Sequence, residues 1–173
     1  MEGTMSANLE LEARIKRIES TLVAIAKRVH LTGLGILNNN ARQFNSQARD
    51  PQDQLQGLQI AEADSTQNIC YRCPDDFPRT LIDAISLRWD AKRLSQLLGF
   101  YNVKIFRPGS HAYTPSENPE EGEEEFHKYI DVDDESQVGR YSKECFTYFI
   151  SYVGLKRKVV ENYLPSTERR QTE

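Results

Sequence analysis

Apolar residues recur every three or four positions along the N-terminal part of the chain, the pattern of a helix with one apolar stripe. The spacings are 4, 3, 4, 3, 4 and 7, and they match the a and d positions of a coiled coil. With Ile15 placed at a, the a residues are Ile15, Leu22, Val29 and Ile36, and the d residues are Leu11, Ile18, Ile25 and Thr32.

This stripe predicts self-association, because a lone helix of this length draws most of its stability from packing. The predicted oligomer interface comprises Leu11, Ile15, Ile18, Leu22, Ile25 and Val29. Docking of the same stripe on the chain's own domain is the alternative. Arg14 at g and Glu19 at the next e can pair between parallel helices, for about 0.3–0.5 kcal/mol. β-Branched residues occupy both a and d, so the number of helices stays open.

The pattern changes in the second half of this helix. Thr32, Gly33 and Gly35 weaken the repeat, and helical spacing then continues one position out of step, at Leu37, Ala41, Phe44 and Ala48. We predict one amphipathic helix over residues 9–49, ended by Pro51. Its first part is expected to meet another chain and its second part its own domain.

The pattern of residues 50–106 predicts a loop followed by a short helical hairpin. Within this range, residues 52–76 have the pattern of a loop with short extended pieces, and two helices are predicted over 78–87 and 91–98. The expected end signals are Asp76 and Asp90 as N-caps, Pro78 in the first turn and Gly99 as the closing residue. Residues 100–106 fit either a short strand or a hydrophobic arm.

The rest of the chain is predicted to be an acidic disordered linker over 107–135, a helical region over 136–165 that Gly154 breaks, and a frayed tail over 166–173. Residues 1–8 are expected to be disordered as well. The predicted fold class is therefore mainly α, with a long N-terminal coiled-coil helix packed on a small helical hairpin.

Composition narrows the cellular setting. Apolar residues make up 38% of the chain and charged residues 28%, so the core is not expected to recruit the whole length. Three cysteines, an odd number at low density, favour a reducing compartment, the cytosol or nucleus. The polar N-terminus does not resemble a signal peptide, and no run approaches eighteen apolar residues, so no membrane contact is predicted.

The pair Cys70 and Cys73 is the strongest candidate for chemistry, because two thiolates at this spacing make half of a zinc site. The other possible ligands, His111, His127 and Cys145, lie 38 or more residues beyond Cys73. Aspartates that follow the pair should raise the thiol pKa values. We therefore interpret Cys70 and Cys73 as a pair of cysteines in a loop, without a metal or redox function. Nothing else frames a nucleophile or a phosphate loop, so no catalytic residue, metal or cofactor is predicted, and the chain is not expected to be an enzyme.

Basic residues along the first helix raise a second possibility, contact with nucleic acid. They are Arg14, Lys16, Arg17, Lys27, Arg28, Arg42 and Arg49. A basic-zipper protein carries a dense basic block before its heptads, whereas the Asn- and Arg-rich segment here follows them. Nucleic-acid binding is therefore the runner-up.

One arrangement of motifs resembles a family of small uncharacterised fungal proteins that includes a meiotically up-regulated member. The resemblance covers about residues 10–100 and rests on Asn39, Ala41, Arg42, Asn45, Ala48, Arg49, Phe77, Pro78, Thr80, Leu97, Leu98, Gly99 and Phe100. The loop from Gln59 to Pro74 and the chain after Tyr101 depart from the family pattern. The family implies no known reaction, so the resemblance bears on fold.

The Asn- and Arg-rich segment is expected to fix the long helix against the hairpin. Its polar residues are three or four apart and share a helical face, which can hydrogen-bond the Leu-rich loop. Phe44 and Ala48 are expected to meet the hairpin. The predicted packing set is Arg42, Phe44, Asn45, Arg49, Phe77, Leu81 and Leu98.

The sequence thus favours a non-enzymatic protein–protein interaction or adaptor protein that forms a homo-oligomer through its N-terminal coiled coil. It does not identify the further protein partner.

Overall fold

A computed structural model describes residues 2–63, 68–108 and 129–165, with the side chains of the first helix described from Glu10 onwards. The described part is mostly helical, as predicted. Its elements are α1 (Glu2–Asn45), β1 (Ile60–Ala63), β2 (Ile69–Arg72), α2 (Leu81–Ser86), a 3₁₀ turn (Leu87–Trp89), α3 (Ala91–Phe100), β3 (Ile105–Phe106), β4 (Tyr129–Ile130), α4 (Glu135–Arg140), α5 (Ser142–Tyr152) and α6 (Arg157–Tyr163).

The long N-terminal helix is present, but its ends differ from the prediction of residues 9–49. It begins at Glu2, within the range 1–8 that was predicted to be disordered. It ends at Asn45, and in the loop that follows the Asp53 carboxylate accepts hydrogen bonds from the backbone N–H groups of Arg49 and Asp50, at 2.6 and 2.9 Å.

The predicted loop over 52–76 contains a β-hairpin. Strands β1 and β2 are antiparallel, with Ile60 opposite Arg72 and Glu62 opposite Cys70. An ion pair of 2.9 Å joins Arg72 and Glu62 across the strands. β3 pairs with β4, so residues 105–106 form the short strand rather than the hydrophobic arm.

The helical hairpin starts later than predicted. α2 begins at Leu81 rather than residue 78, because Thr80 is its N-cap: the Thr80 hydroxyl accepts from the Asp83 N–H at 3.3 Å. Asp76 is therefore not the cap. Asp90 caps α3 as predicted and accepts from the Arg93 N–H at 3.0 Å. α3 runs past Gly99 to Phe100, and the left-handed residue that follows is Asn102, with φ 48°.

A bidentate pair closes this hairpin. The Arg93 guanidinium donates to both carboxylate oxygens of Asp83, at 2.6 and 3.0 Å, and also to the Asp76 carbonyl. These hydrogen bonds lower the pKa of Asp83, because they favour its charged form. The pair fixes α3 beside the start of α2.

The described fold includes both ends of the range 107–135 that was predicted to be an acidic linker. Residues 109–128, on which most of that prediction falls, lie outside the described part, as do 166–173 of the predicted tail. Residues 129–135 belong to the fold, because Ile130 and Val132 are buried in the core. Asp134 caps α4 by accepting from the Ser136 N–H at 2.9 Å.

The core lies between the hairpin and the C-terminal helices. α3 packs on α4 and α5, and the rings of Phe77 and Phe149 lie 6.4 Å apart. The largest fully buried apolar side chains include Leu58, Leu81, Leu87, Leu94, Leu97, Leu98, Val138, Phe149, Val153 and Val160. The first helix meets this core only near its C-terminal end.

The predicted break at Gly154 is present, and it is also a point of close approach. Gly154 has φ +88°, a left-handed conformation that favours glycine. A Cβ built at this position would lie 2.6 Å from the Arg42 carbonyl oxygen and 2.7 Å from the Arg42 Cα atom. The turn after α5 therefore rests directly on the backbone of α1.

We expect Gly154→Ala to lower the free energy of unfolding by about 2–4 kcal/mol. The alanine would be strained in the left-handed conformation, and its Cβ would push the backbone of α1 away. Urea denaturation measures this change. Gly139→Ala is the matched control, because its Cβ would meet only the Ala91 Cβ, at an ordinary 3.6 Å. Equal stability of the two variants would contradict the close approach.

Candidate functional site

The first helix uses one face to contact its own domain. The residues on this face are His30, Asn38, Ala41 and Asn45, at spacings of eight, three and four. Ala41 and Asn45 are buried, and the His30 ring hydrogen-bonds the Tyr71 hydroxyl at 2.9 Å. With Ile15 at a, these residues occupy heptad positions b, c, f and c, which lie opposite the a and d stripe.

Two asparagines on this face bind the extended segment before β1. The Asn38 side-chain amide donates to the Gln59 carbonyl and accepts from the Gln59 N–H, both at 2.8 Å. Asn45, seven residues later, does the same with Gln56 at 2.9 and 2.8 Å. Each side-chain amide thus acts as a neighbouring strand's peptide group would, and holds the segment along the helix.

The same face also holds the C-terminal half. The second N–H of the Asn45 amide donates to the Val153 carbonyl at 2.8 Å. The Asn45 side chain is fully buried. Arg42 donates through Nε to the Tyr152 carbonyl at 2.8 Å, and its guanidinium lies 5.2 Å from the Tyr152 ring centroid. Three separate segments therefore meet at Asn45.

The predicted helix–hairpin packing set divides in the structure. Phe77, Leu81 and Leu98 are buried together in the core, whereas Arg42 and Asn45 bind the extended segment and the turn after α5. The Arg49 guanidinium donates to nearby carbonyls, and its own carbonyl accepts from the Tyr163 hydroxyl at 2.7 Å.

The prediction that Phe44 packs against the hairpin is wrong. Its side chain is 43% exposed and is not part of the buried core. Adjacent helical residues point about 100° apart, so with Asn45 turned inwards Phe44 faces away. Sequence reasoning also did not assign a contact to Asn38; its seven-residue spacing from Asn45 was the signal that could have found it.

The opposite face of α1 is an exposed apolar stripe. Every described residue from Glu10 to Thr32 is exposed. The six predicted interface residues Leu11, Ile15, Ile18, Leu22, Ile25 and Val29 are 46–65% exposed, and Ile36 continues the stripe at 57%. Contiguous exposed apolar surface of this kind marks interaction sites.

Shallow grooves lie along this stripe. One is lined by Ile25, Arg28, Val29, Thr32, Gly33 and Ile36, and another by Arg14, Arg17, Ile18, Thr21 and Leu22. A Cβ added at Gly33 or Gly35 would meet nothing within 4 Å. In a coiled coil, such spaces between a and d residues receive the side chains of the partner helix.

The cysteine pair lies on and beside β2. The Cys70 thiol lies 3.4 Å from the Glu62 carbonyl, and burial raises the pKa of Cys73, with a further contribution from the Asp75 carboxylate. A raised pKa leaves the thiol protonated and poorly reactive. Within residues 2–63, 68–108 and 129–165, no three His, Cys, Asp or Glu side chains come together in a metal-binding group.

A membrane span requires a helix that is long and apolar enough to cross the bilayer, and none is predicted from the sequence. By length and composition alone, one stretch of α1 within Glu10–Asn45 meets that condition, and none of it is buried. Lys27 and Arg28 lie side by side inside the helix, and charged side chains are costly at the centre of a membrane span.

Comparisons with protein-family models, with curated proteins and with solved structures give no match for this chain. The resemblance to the fungal family therefore stays a prediction.

We expect Asn45→Ala to lower the free energy of unfolding by on the order of 3 kcal/mol, because it leaves the Gln56 peptide group and the Val153 carbonyl without their partner. Urea denaturation monitored by circular dichroism measures the change. Asn45→Asp keeps the shape but cannot donate to two carbonyls when ionised, and should be at least as destabilising.

Asn40→Ala is the matched control for this loss, because Asn40 is exposed on the same helix. Its effect should stay within about 0.5 kcal/mol. A similar loss in both variants would indicate a helix-propensity effect rather than the buried hydrogen bonds.

Proposed function

We propose that this chain is a non-enzymatic interaction or adaptor protein that self-associates through a coiled coil formed by α1. The observation that carries the proposal is the division of one helix into two faces. The b, c and f face near the C-terminal end of α1 binds the protein's own domain, and the a and d stripe stays exposed on the opposite side.

The apolar surface of the stripe is large enough to offset a substantial part of the cost of association. Full burial of a Val, Leu or Ile side chain contributes about 1.5–3 kcal/mol, and these six are already about half buried. Two chains together therefore gain roughly 10–20 kcal/mol, against an association cost of about 4–15 kcal/mol. The gain is thus of the same size as the cost of association or larger, which supports self-association.

The position of the stripe along the helix supports the same proposal. From Glu10 to Thr32 the helix has no described residue buried against its own domain. Helices in water draw most of their stability from such packing. A second α1 would supply it, and would leave the folded domain at the end of the zipper free for a further protein partner.

We also propose that the protein belongs with the fungal family that its Asn/Arg segment and hairpin motifs resemble, in the cytosol or nucleus. This relationship concerns fold, and it does not add a reaction.

We expect the wild-type protein to sediment as an oligomer at tens of micromolar, and Ile18→Asn to sediment as a monomer, because a polar d residue is desolvated at the interface. Val23→Asn is the matched control: Val23 is 69% exposed but occupies a b position outside the stripe, so this variant should remain oligomeric.

A wild-type protein that stays strictly monomeric would contradict the proposal. If that monomer bound lipid vesicles, the stripe would be assigned to a membrane surface instead.

A nucleic-acid-associated regulator is the second candidate function. Five basic side chains, Arg14, Lys16, Arg17, Lys27 and Arg28, are exposed on α1. Two others predicted for this role are engaged within the fold: Arg42 binds the Tyr152 carbonyl and Arg49 binds carbonyls of its own turn. The five exposed residues occupy positions b, c, f and g, so they share the side of the helix away from the a and d stripe, in two groups about ten residues apart.

With generic duplex DNA we expect no mobility shift at about 150 mM salt, because binding through a few phosphate contacts is weak and salt-sensitive. A shift that persists there, and strengthens as salt is lowered, would favour the second candidate. Arg17→Glu should then reduce it, whereas absence of binding at low salt would remove this candidate.

A further inference from the structure

The charges beside the exposed stripe bear on how two α1 helices would be arranged. In the heptad frame, the g residues are Arg14, Thr21 and Arg28, and the e residues are Glu12, Glu19, Ala26 and Gly33. All are exposed except Gly33, which is partly covered. These positions flank the interface and set partner choice and orientation in coiled coils.

A parallel arrangement in register brings opposite charges together. Each g residue then faces the e residue five positions later on the other chain, so Arg14 lies beside Glu19 of the partner chain, twice by symmetry. The next pairs are Thr21 with Ala26 and Arg28 with Gly33, which contain no like charges. Thr32, the polar residue among the four d positions of the stripe, meets its own copy.

An antiparallel arrangement centred on the stripe brings like charges together. Here a residues face d residues, so Leu22 meets Ile18 of the partner chain, and g faces g while e faces e. Arg14 would then lie near Arg28 of the partner chain twice, and Glu19 near its own copy. Each such like-charge contact is destabilising.

A second antiparallel register, in which the two helices overlap over one more heptad, avoids those repulsions but has a less favourable interface. It places Thr32 against Ile15 of the partner chain, twice, so a hydroxyl faces an apolar residue in the seam. Its g and e contacts, such as Arg14 with Gly35, contain no attractive pair. Of the three registers, only the parallel one places each a and d residue against its own copy and also places opposite charges beside the interface.

We propose that the partner of α1 is a second copy of this chain running parallel and in register, with Arg14 of each chain paired to Glu19 of the other. This rests on the proposed self-association, and it adds the identity and direction of the helix that covers the stripe. It places both folded domains at the same end of the zipper, on its outer sides, because Asn38 and Asn45 bind the domain on the opposite face.

Arg14→Glu separates the three arrangements in sedimentation equilibrium at low salt. We expect about tenfold weaker association, because two attractive pairs become repulsive, and the double variant that also carries Glu19→Arg should return to within about twofold of the wild type. The difference should shrink at 1 M salt. Lys16→Glu is the matched control, since it changes the charge equally at a b position.

The other outcomes overturn the arrangement. Tighter association of Arg14→Glu would indicate the first antiparallel register, where the introduced carboxylate would face Arg28 of the partner chain, and no change would indicate the second. A wild-type protein that is monomeric would overturn the self-association itself, so the two failures are distinguishable.

A cross-linking measurement tests the direction without changing charge. In a background with Cys70→Ser and Cys73→Ser, Ile25→Cys should form a disulfide-linked dimer with itself on oxidation, because d residues face d residues only in the parallel register. In the antiparallel registers it would face Ile15 or Leu22 and form no such link. Ser20→Cys, at the outer f position, is the control that should not cross-link.

Discussion

The arrangement of the first helix on its domain depends on the hydrogen bonds of the buried Asn45 side chain. Its amide accepts from the backbone N–H of Gln56 and donates to the carbonyls of Gln56 and Val153, so it joins the first helix, the extended segment and the C-terminal helices at one point. A fully buried amide that lost these partners would incur a desolvation cost of about 1–3 kcal/mol for each unpaired group. The helix therefore has one favoured rotation against the domain, which Asn38 repeats one heptad earlier.

That fixed rotation is what gives the apolar stripe its direction. A helix that places a c residue inwards must place its a and d residues outwards, because these positions lie on opposite sides. The stripe is thus exposed as a consequence of hydrogen bonds made some twenty residues away. Internal packing and the proposed association do not compete for one surface, and this is why a single helix can serve both.

The sequence was most informative where one periodic signal dominated. The heptad stripe, the mainly helical content, the Asp90 cap and the break at Gly154 all follow from local patterns. The prediction for Phe44 was wrong because two apolar stripes overlap near residue 40, and an error of one position turns a side chain by about 100°. The bond between Asn45 and Val153 spans 108 residues, and local spacing carries no information about such a contact. The β1–β2 hairpin was hidden for a similar reason, since its strands are only four residues long.

The glycines of α1 connect its two roles. Gly33 and Gly35 lie in a helix, each at a cost of about 0.5–1 kcal/mol relative to alanine, and no neighbouring atom requires their small size. They follow the exposed zipper segment and precede the part that Asn38 and Asn45 hold. A weakened helix there leaves the exposed segment with little support from the domain, which is the support that the proposed partner helix would supply. In the proposed dimer, folding of that segment and association would be one coupled process, whereas the domain beyond Asn38 has its own core.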